Sequence, residues 1–186
     1  MTDEIPVTPQ IAVSYREAVA SDVLDIARLH ADSWRRHYRG AYPPAFFDSS
    51  LDVDRLGVWS ERLANPQGSF TLVCERSGLV AFVHVCFNAD ARFGSLVDNL
   101  HVRHDLHRNG IARHLMAGAA AAVAHAAPGK PLYLWVLEQN VRAQAFYRAI
   151  GGSEADRHDA DPPALPGVRR IRYVWPDPKV LASLES

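Results

Sequence analysis

The chain has 186 residues, of which 48% are hydrophobic and 22% are charged, and its formal net charge is −1. This length and composition predict one globular domain with a full hydrophobic core. The near-neutral charge argues against a general nucleic-acid binder. No apolar run approaches the roughly 20 residues of a membrane span.

The ends of the chain are expected to lie outside the domain. Residues 1–10, MTDEIPVTPQ, predict an N-terminal extension without the basic and apolar leader of a signal peptide, so we expect a cytoplasmic protein. Residues 11–175 are predicted to form the single domain, and residues 176–186 a C-terminal tail on the surface.

The first part of the domain predicts one strand and two helices. Residues 11–18 predict the strand, and Ser21 or Asp22 can cap the helix that follows it. Pro43-Pro44 interrupts the helical pattern, and a second helix is expected to begin at Asp52.

A hairpin comes next. Its strands are predicted at Phe70–Arg76 and Leu79–Asn88, joined by Ser77-Gly78. This register sets Cys74 opposite Ala81 and leaves Cys86 about 16 Å further along the strand, which is too far for a disulfide. Because neither cysteine has an obvious base beside it in the sequence, both are interpreted as reduced, buried thiols; an acyl-cysteine mechanism is the less favoured alternative.

The next stretch predicts a strand, a polar turn and a helix. Leu96–Val102 has the apolar content of a strand, and Gly110 precedes an apolar helical face. The unpaired N–H groups of a helix start can bind an anion, and Arg108 and Arg113 would add charge. An ordinary strand–turn–helix connection explains the glycine equally well. The sequence contains neither GxxxxGK[ST] nor a GxGxxG after a strand.

The remaining elements follow at short intervals. We predict a strand at Leu132–Leu137, a helix at Val141–Ile150 capped by Asn140, a short strand at Ser153–Arg157 and a last strand at Arg169–Trp175.

Two of these stretches together resemble the GNAT superfamily of N-acetyltransferases. HRNGIA matches the family's acyl-CoA loop at His107, Gly110 and Ala112, although the family has Arg or Gln where His107 stands. The second motif, an Asn followed by a helix with Phe-Tyr and a Gly near its end, is matched by Asn140, Phe146, Tyr147 and Gly151. A histidine at the loop's first position predicts a weaker or pH-dependent side-chain contact to the cofactor.

The resemblance implies an α/β (α+β) fold. Its central sheet would be mixed and mostly antiparallel, splayed between the strands that end at Val102 and Leu137, with helices on both faces. It also allows for a homodimer.

The resemblance implies transfer of an acetyl group from acetyl-CoA, the cosubstrate, to a primary amine by direct attack in a ternary complex. Tyr147 would protonate the coenzyme A thiolate; packing in the core is the alternative for this side chain. Asp98 is the preferred base, with Glu138 and His101 behind it. Strand alternation would put Asp98 on one face with Leu96 and Leu100, and a salt bridge with a nearby arginine explains it equally well.

The implied contacts fall into two sets. The candidate acetyl-CoA contacts are Leu100, His101, Val102, His107, Arg108, Asn109, Gly110, Ile111, Ala112, Arg113, Asn140 and Phe146. The candidate acceptor contacts are Trp34, Tyr38 and Phe46, for which packing of helices on the sheet is the alternative. No metal site is expected, because His101, His104, His107 and His114 do not converge on one point and no cysteine or carboxylate completes a ligand set.

The acceptor itself is not specified beyond an amine on a small molecule or a peptide. Two other functions stay open: a module that senses acyl-CoA without transferring the acyl group, and a structural interaction protein that kept the fold. Retention of Tyr147 and Asp98 favours the enzyme.

Overall fold

The computed structural model describes residues 12–161 and 164–182, so the predicted extension 1–10 lies outside the described residues. The strands are β1 (Ser14–Glu17), β2 (Ser69–Glu75), β3 (Leu79–Asp90), β4 (Gly94–Val102), β5 (Leu132–Leu137), β6 (Ser153–Asp159) and β7 (Arg169–Trp175). The α-helices are α1 (Val23–His37), α2 (Ser49–Ala64), α3 (Ile111–Ala126), α4 (Val141–Ala149) and α5 (Lys179–Ala182). Within the described ranges, no helix is long and apolar enough to cross a membrane.

The strands form one sheet in the order β1-β2-β3-β4-β5-β7-β6, antiparallel except between β4 and β5. Those two central strands pair only at Ser95 with Leu132 and at Leu96 with Tyr133, and then diverge. This confirms the predicted opening of the sheet between the strands that end at Val102 and Leu137.

A glycine allows the paired end of β4 and β5 to close. Gly94 has φ +76°, and a Cβ atom there would lie 2.2 Å from the carbonyl oxygen of Pro131. Ser95 N–H donates to that same oxygen at 3.0 Å. A side chain at residue 94 would therefore displace the loop that leads into β5.

Helices cover both faces of the sheet, as predicted. On one face α1 and α2 pack through a small cluster of buried side chains: Ile26, Ala27, Leu29, Trp59, Val73 and Phe82. The other face carries the larger core, in which apolar residues of α3 and α4 pack on β3, β4, β5 and β7. The open end of the sheet therefore lies between two packed layers.

Several predicted boundaries differ from the structure, most of them by one to three residues, and two of the differences have a clear physical reason. Helix α2 begins at Ser49 rather than Asp52, because Asp48 caps it by accepting a hydrogen bond from Ser50 N–H at 2.9 Å. The tail is not simply a surface extension: α5 lies within it, and Leu181 is fully buried in the larger core.

Both cysteines are free, and Cys74 pairs with Ala81 across the hairpin, as predicted. The prediction that no base lies near either cysteine was wrong for Cys86. His84 lies two residues away on the same strand, and its Nε2 is 3.7 Å from the Cys86 Sγ. Burial raises the pKa of both thiols. Neither cysteine is therefore set up as a nucleophile at neutral pH.

Candidate active site

A cavity of about 770 Å³ occupies the gap between β4 and β5. Its walls come from both diverging strands, from the start of α3, from α4 and from the inner faces of α1 and α2. Most of the site residues predicted from the sequence line it: Trp34, Tyr38, Asp98, Leu100, His101, Val102, His107, Arg108, Gly110, Ile111, Ala112, Arg113, Asn140, Phe146 and Tyr147.

The start of α3 forms one end of the cavity. Gly110 precedes the helix in the left-handed region at φ +77°, and a Cβ atom on it would meet no atom within 4 Å. Helical hydrogen bonding begins with His114 N–H to the Gly110 carbonyl at 3.1 Å, which leaves the three preceding amides without helical partners. Arg108, Arg113 and Arg142 also line this end. The donors, positive charge and open space suit a phosphate group.

The side chain of His107 stabilises the turn before α3. Its Nε2–H donates to the Val102 carbonyl at 3.0 Å, which ties the turn to the end of β4. Burial, partly offset by that hydrogen bond, lowers the pKa of His107. Asn109 also stabilises the turn, since its side-chain amide donates to the Leu106 carbonyl at 3.1 Å, and Asn109 does not line the cavity.

A β-bulge changes the expected alternation on β4. Val97 pairs with Val85 of β3 and Asn99 pairs with His84, so Asp98 is an extra residue without a partner on β3. Leu100 packs on the α3 side, whereas Asp98 reaches α2. The prediction that Asp98 and Leu100 share a face was therefore wrong.

The carboxylate of Asp98 is held in an ion pair. Arg62 of α2 donates to Asp98 Oδ2 at 2.6 Å and to Asn99 Oδ1 at 2.7 Å. The salt bridge that the sequence left open as an alternative is thus present, and any proton transfer to Asp98 must take place beside Arg62.

A buried histidine, His30, and a half-buried one, His101, lie next to this ion pair. His101 Nδ1 is 2.7 Å from Ser33 Oγ, and His30 Nδ1 accepts a hydrogen bond from the indole of Trp59 at 3.0 Å. Their rings are 4.8 Å apart. Burial is the main reason that the pKa of His30 is lowered and that the pKa of His101 is lowered to about 3. Both rings are therefore neutral at neutral pH.

Helix α4 and its N-cap contribute three predicted residues to the other side of the gap: Asn140, Phe146 and Tyr147. Asn140 caps the helix, with its Oδ1 accepting a hydrogen bond from Ala143 N–H at 3.2 Å. Tyr147 packs against Tyr173 and Trp175, is only 9% exposed and still lines the cavity. Burial raises the pKa of Tyr147 above its usual range, so its phenol stays protonated.

The aromatic residues near α1 divide into two groups. Trp34 and Tyr38 stack on each other at 4.9 Å and both line the cavity. Phe46 stacks on Trp34 at 5.3 Å, does not line the cavity, and so supports that wall from behind.

Glu138, which the sequence offered as an alternative base to Asp98, does not line the cavity. Its carboxylate pairs with Arg157. Sequence reasoning missed His30, Ser33, His37, Arg55 and Arg62, which line the α1–α2 side. The hydrophobic periodicity of the sequence did not predict these residues as part of the site, because each belongs to a helix that is remote in sequence from the two motifs. Among the described residues, no group of three or more His, Cys, Asp or Glu could hold a metal ion.

Comparisons with known proteins give results that agree with this geometry. Residues 30–151 match the family model of the acetyltransferase (GNAT) family. A Bacillus subtilis protein named as an uncharacterised N-acetyltransferase, YuaI, is 29% identical over 178 residues, which cover 92% of this chain and 98% of that protein.

Solved structures with the same fold include two whose names state a ligand or an acceptor. The PaiA N-acetyltransferase of Thermoplasma acidophilum in complex with coenzyme A is 16% identical with a TM-score of 0.69, over 87% of this chain and 98% of that one. A variant of the spermidine N-acetyltransferase SpeG of Vibrio cholerae is 16% identical with a TM-score of 0.67, over 92% and 97% of the two chains. At these identities the likeness concerns the fold.

The matched region contains the splayed strands, the turn before α3 and the whole of α4, which are the parts that form the cavity. It also spans well over half of the chain. The chain therefore belongs to the GNAT acetyltransferase family.

Proposed function

We propose that this protein transfers an acetyl group from acetyl-CoA to a primary amine by direct attack in a ternary complex. The observation that carries the proposal is the continuity of the cavity. One space joins the unpaired amides at the start of α3, the unpaired stretch of β4, Tyr147, and a separate wall formed by α1 and α2. Two molecules could therefore bind along different walls of the same space and meet in the gap.

The residues present fit acetyl-CoA. The amides of residues 111–113, together with Arg108 and Arg113, would hold the pyrophosphate. Beyond Leu96, β4 has no partner on the β5 side, so its free backbone groups can pair with the peptide-like pantetheine arm. Backbone N–H groups near Leu100–Val102 would polarise the thioester carbonyl.

The proposed reaction forms one bond and breaks one. The lone pair of a neutral amine attacks the thioester carbonyl carbon, the carbon–sulfur bond breaks, and the sulfur leaves with the electron pair. Tyr147 gives its phenolic proton to that sulfur and later recovers one from solvent. Among the described residues nothing hydrogen-bonds to the Tyr147 hydroxyl, so it is free to donate.

The amine must also lose a proton, because a lysine-like amine has a pKa of about 10.4. Asp98 is the only carboxylate among the described cavity-lining residues, and we assign it this role. Arg62 already donates to Asp98 Oδ2, so the amine must reach the carboxylate beside that hydrogen bond.

An amine panel with detection of free thiol tests the proposal. We expect thiol release from acetyl-CoA only when a suitable amine is present, together with saturable acetyl-CoA binding by calorimetry. Slow thiol release that no amine accelerates would instead favour an acyl-CoA sensor, and absence of acetyl-CoA binding would refute the assignment altogether.

A further inference from the structure

The α1–α2 side of the cavity carries more positive than negative charge. We define the acceptor wall as the lining residues contributed by α1 with the adjoining Tyr38, by α2 and by the α2-facing residues of β4: His30, Ser33, Trp34, His37, Tyr38, Arg55, Arg62, Asp98, Asn99 and His101. Its charged members are Arg55, Arg62 and Asp98. Arg62 lies 2.6 Å from Asp98, so these two charges offset each other within the wall. Arg55 pairs with Asp54, which does not line the cavity, so Arg55 is the cation of the wall whose carboxylate partner lies outside it.

The guanidinium of Arg55 has hydrogen-bond donors that its ion pair does not use. Its side chain is only 14% exposed, and its guanidinium lies 4.6 Å from the centroid of the Trp34 ring. Its hydrogen bonds run from Nε and Nη2 to Asp54, whose side chain is 54% exposed and does not line the cavity. Within the described part of the chain, nothing accepts from Nη1. A guanidinium fixed on an aromatic ring with a free edge can bind a carboxylate.

The other members of the wall do not neutralise Arg55. His30 is buried and His101 is half-buried, and the nearby charge of Arg55 is one of the causes that lower the pKa of each ring. Burial is the main cause that lowers the pKa of His37. Burial raises the pKa of Tyr38 to about 12, so its phenol is uncharged at neutral pH. A diamine would therefore bring a second cation towards Arg55 with no free carboxylate on the described wall to receive it, which is unfavourable.

We propose that the acceptor is a small amine that also carries a carboxylate, such as a free amino acid, with the carboxylate on Arg55 and the amine towards Asp98 and the gap. This inference rests on the proposed acetyl transfer and names its substrate class. Spermidine, the acceptor in the name of a protein with the same fold, belongs to the class that this wall disfavours.

A matched series of amines tests the substrate class. Each free amino acid would be compared with its carboxamide and with its decarboxylated amine, and spermidine would be included. The readouts are free thiol and the mass of the acetylated product. We expect kcat/KM for the preferred amino acid to exceed that of its carboxamide by about tenfold or more, which corresponds to about 1.4 kcal/mol.

Two variants connect this preference to Arg55. Arg55→Gln should abolish the discrimination between acid and carboxamide while the KM for acetyl-CoA stays within about twofold. Arg28→Gln makes the same chemical change on an exposed part of α1 and should leave the preference intact.

Other outcomes would overturn the inference. A wild-type preference for carboxamides, decarboxylated amines or spermidine would contradict it, and so would a preference for acids that survives in Arg55→Gln. Failure of the proposed function is distinguishable, because then no amine of any class would release thiol, and that result would refute both proposals.

Discussion

Tyr147 has the environment that a proton donor to a leaving thiolate needs. Its ring is fixed between Tyr173 and Trp175, and burial keeps the phenol protonated by raising its pKa. Tyr147→Phe retains the ring and its packing and removes only the hydroxyl. General acid catalysis contributes about 10²–10⁴-fold, so we expect kcat to fall by about that factor, with acetyl-CoA affinity within a few-fold of wild type.

Tyr133→Phe is the matched control for this variant, because Tyr133 lies on β5 without lining the cavity. It should leave kcat nearly unchanged. Near-normal kcat in a folded Tyr147→Phe protein would show that Tyr147 only packs in the core and that water or another side chain protonates the thiolate.

The role of Asp98 is testable through the pH dependence of the reaction. If Asp98 accepts the amine proton, Asp98→Asn should reduce kcat/KM by about tenfold or more near neutral pH and recover in part at high pH, where more of the amine is already neutral. A pH–rate profile checks this. Asp105→Asn removes another arginine-paired carboxylate outside the cavity and should leave the profile unchanged. An equal loss at every pH would mean that Asp98 mainly holds Arg62 in place.

At the scale of elements, the turn between β4 and α3 is the proposed anion site. Gly110→Asp would place a carboxylate beside the unpaired amides, so we expect acetyl-CoA binding to weaken by well over tenfold, which is more than about 1.4 kcal/mol. Calorimetry measures this affinity.

Gly110→Ala separates charge from backbone strain in that experiment. The φ of +77° disfavours both side chains, whereas the space around residue 110 is open, so alanine introduces the strain without the charge. We expect alanine to weaken binding much less than aspartate. Equal losses in the two variants would indicate that the backbone conformation, and not the electrostatics of the site, determines affinity.

Local patterns predicted the elements whose signals are local. The Ser77-Gly78 turn gave the pairing of Cys74 with Ala81. An apolar run gave β5 and an alternating pattern gave β7, both with their observed bounds. The bulge at Asp98 was not predictable in this way, because it arises from how β4 pairs with β3.

Local sequence patterns also did not predict the acceptor wall, whose residues come from elements far apart in the chain. Arg55 and Arg62 look like ordinary surface positions of an amphipathic helix until α2 packs beside β4. The proposed cofactor end is lined by residues of two motifs that are visible along the chain, whereas the proposed acceptor end is assembled by tertiary packing from separate elements.

For the whole molecule, buried neutral histidines predict loss of stability in mild acid. The pKa of His84 is lowered to about 4 and that of His101 to about 3, mainly by burial, while unfolded histidine has a pKa of about 6.5. Between these values the unfolded chain binds more protons than the folded one, so stability falls as pH falls below about 6.5. The loss should reach on the order of 2–3 kcal/mol per histidine near pH 4.

Urea unfolding at several pH values measures this dependence. His84→Gln, outside the cavity, should flatten the slope between pH 6.5 and 4, whereas His125→Gln on the exposed side of α3 should not. A wild-type free energy of unfolding that stays constant over this range would contradict the prediction.

The central claim is that the acetyl group passes directly from acetyl-CoA to an amine. The most direct measurement is a product balance after one incubation with an accepted amine: free thiol, acetylated amine and the intact mass of the protein. We predict equal amounts of thiol and acetylated amine, with no acetyl group on the protein. Thiol without acetylated amine, or an acetyl group on Cys86 or Cys74 that is then passed to the amine, would contradict direct transfer.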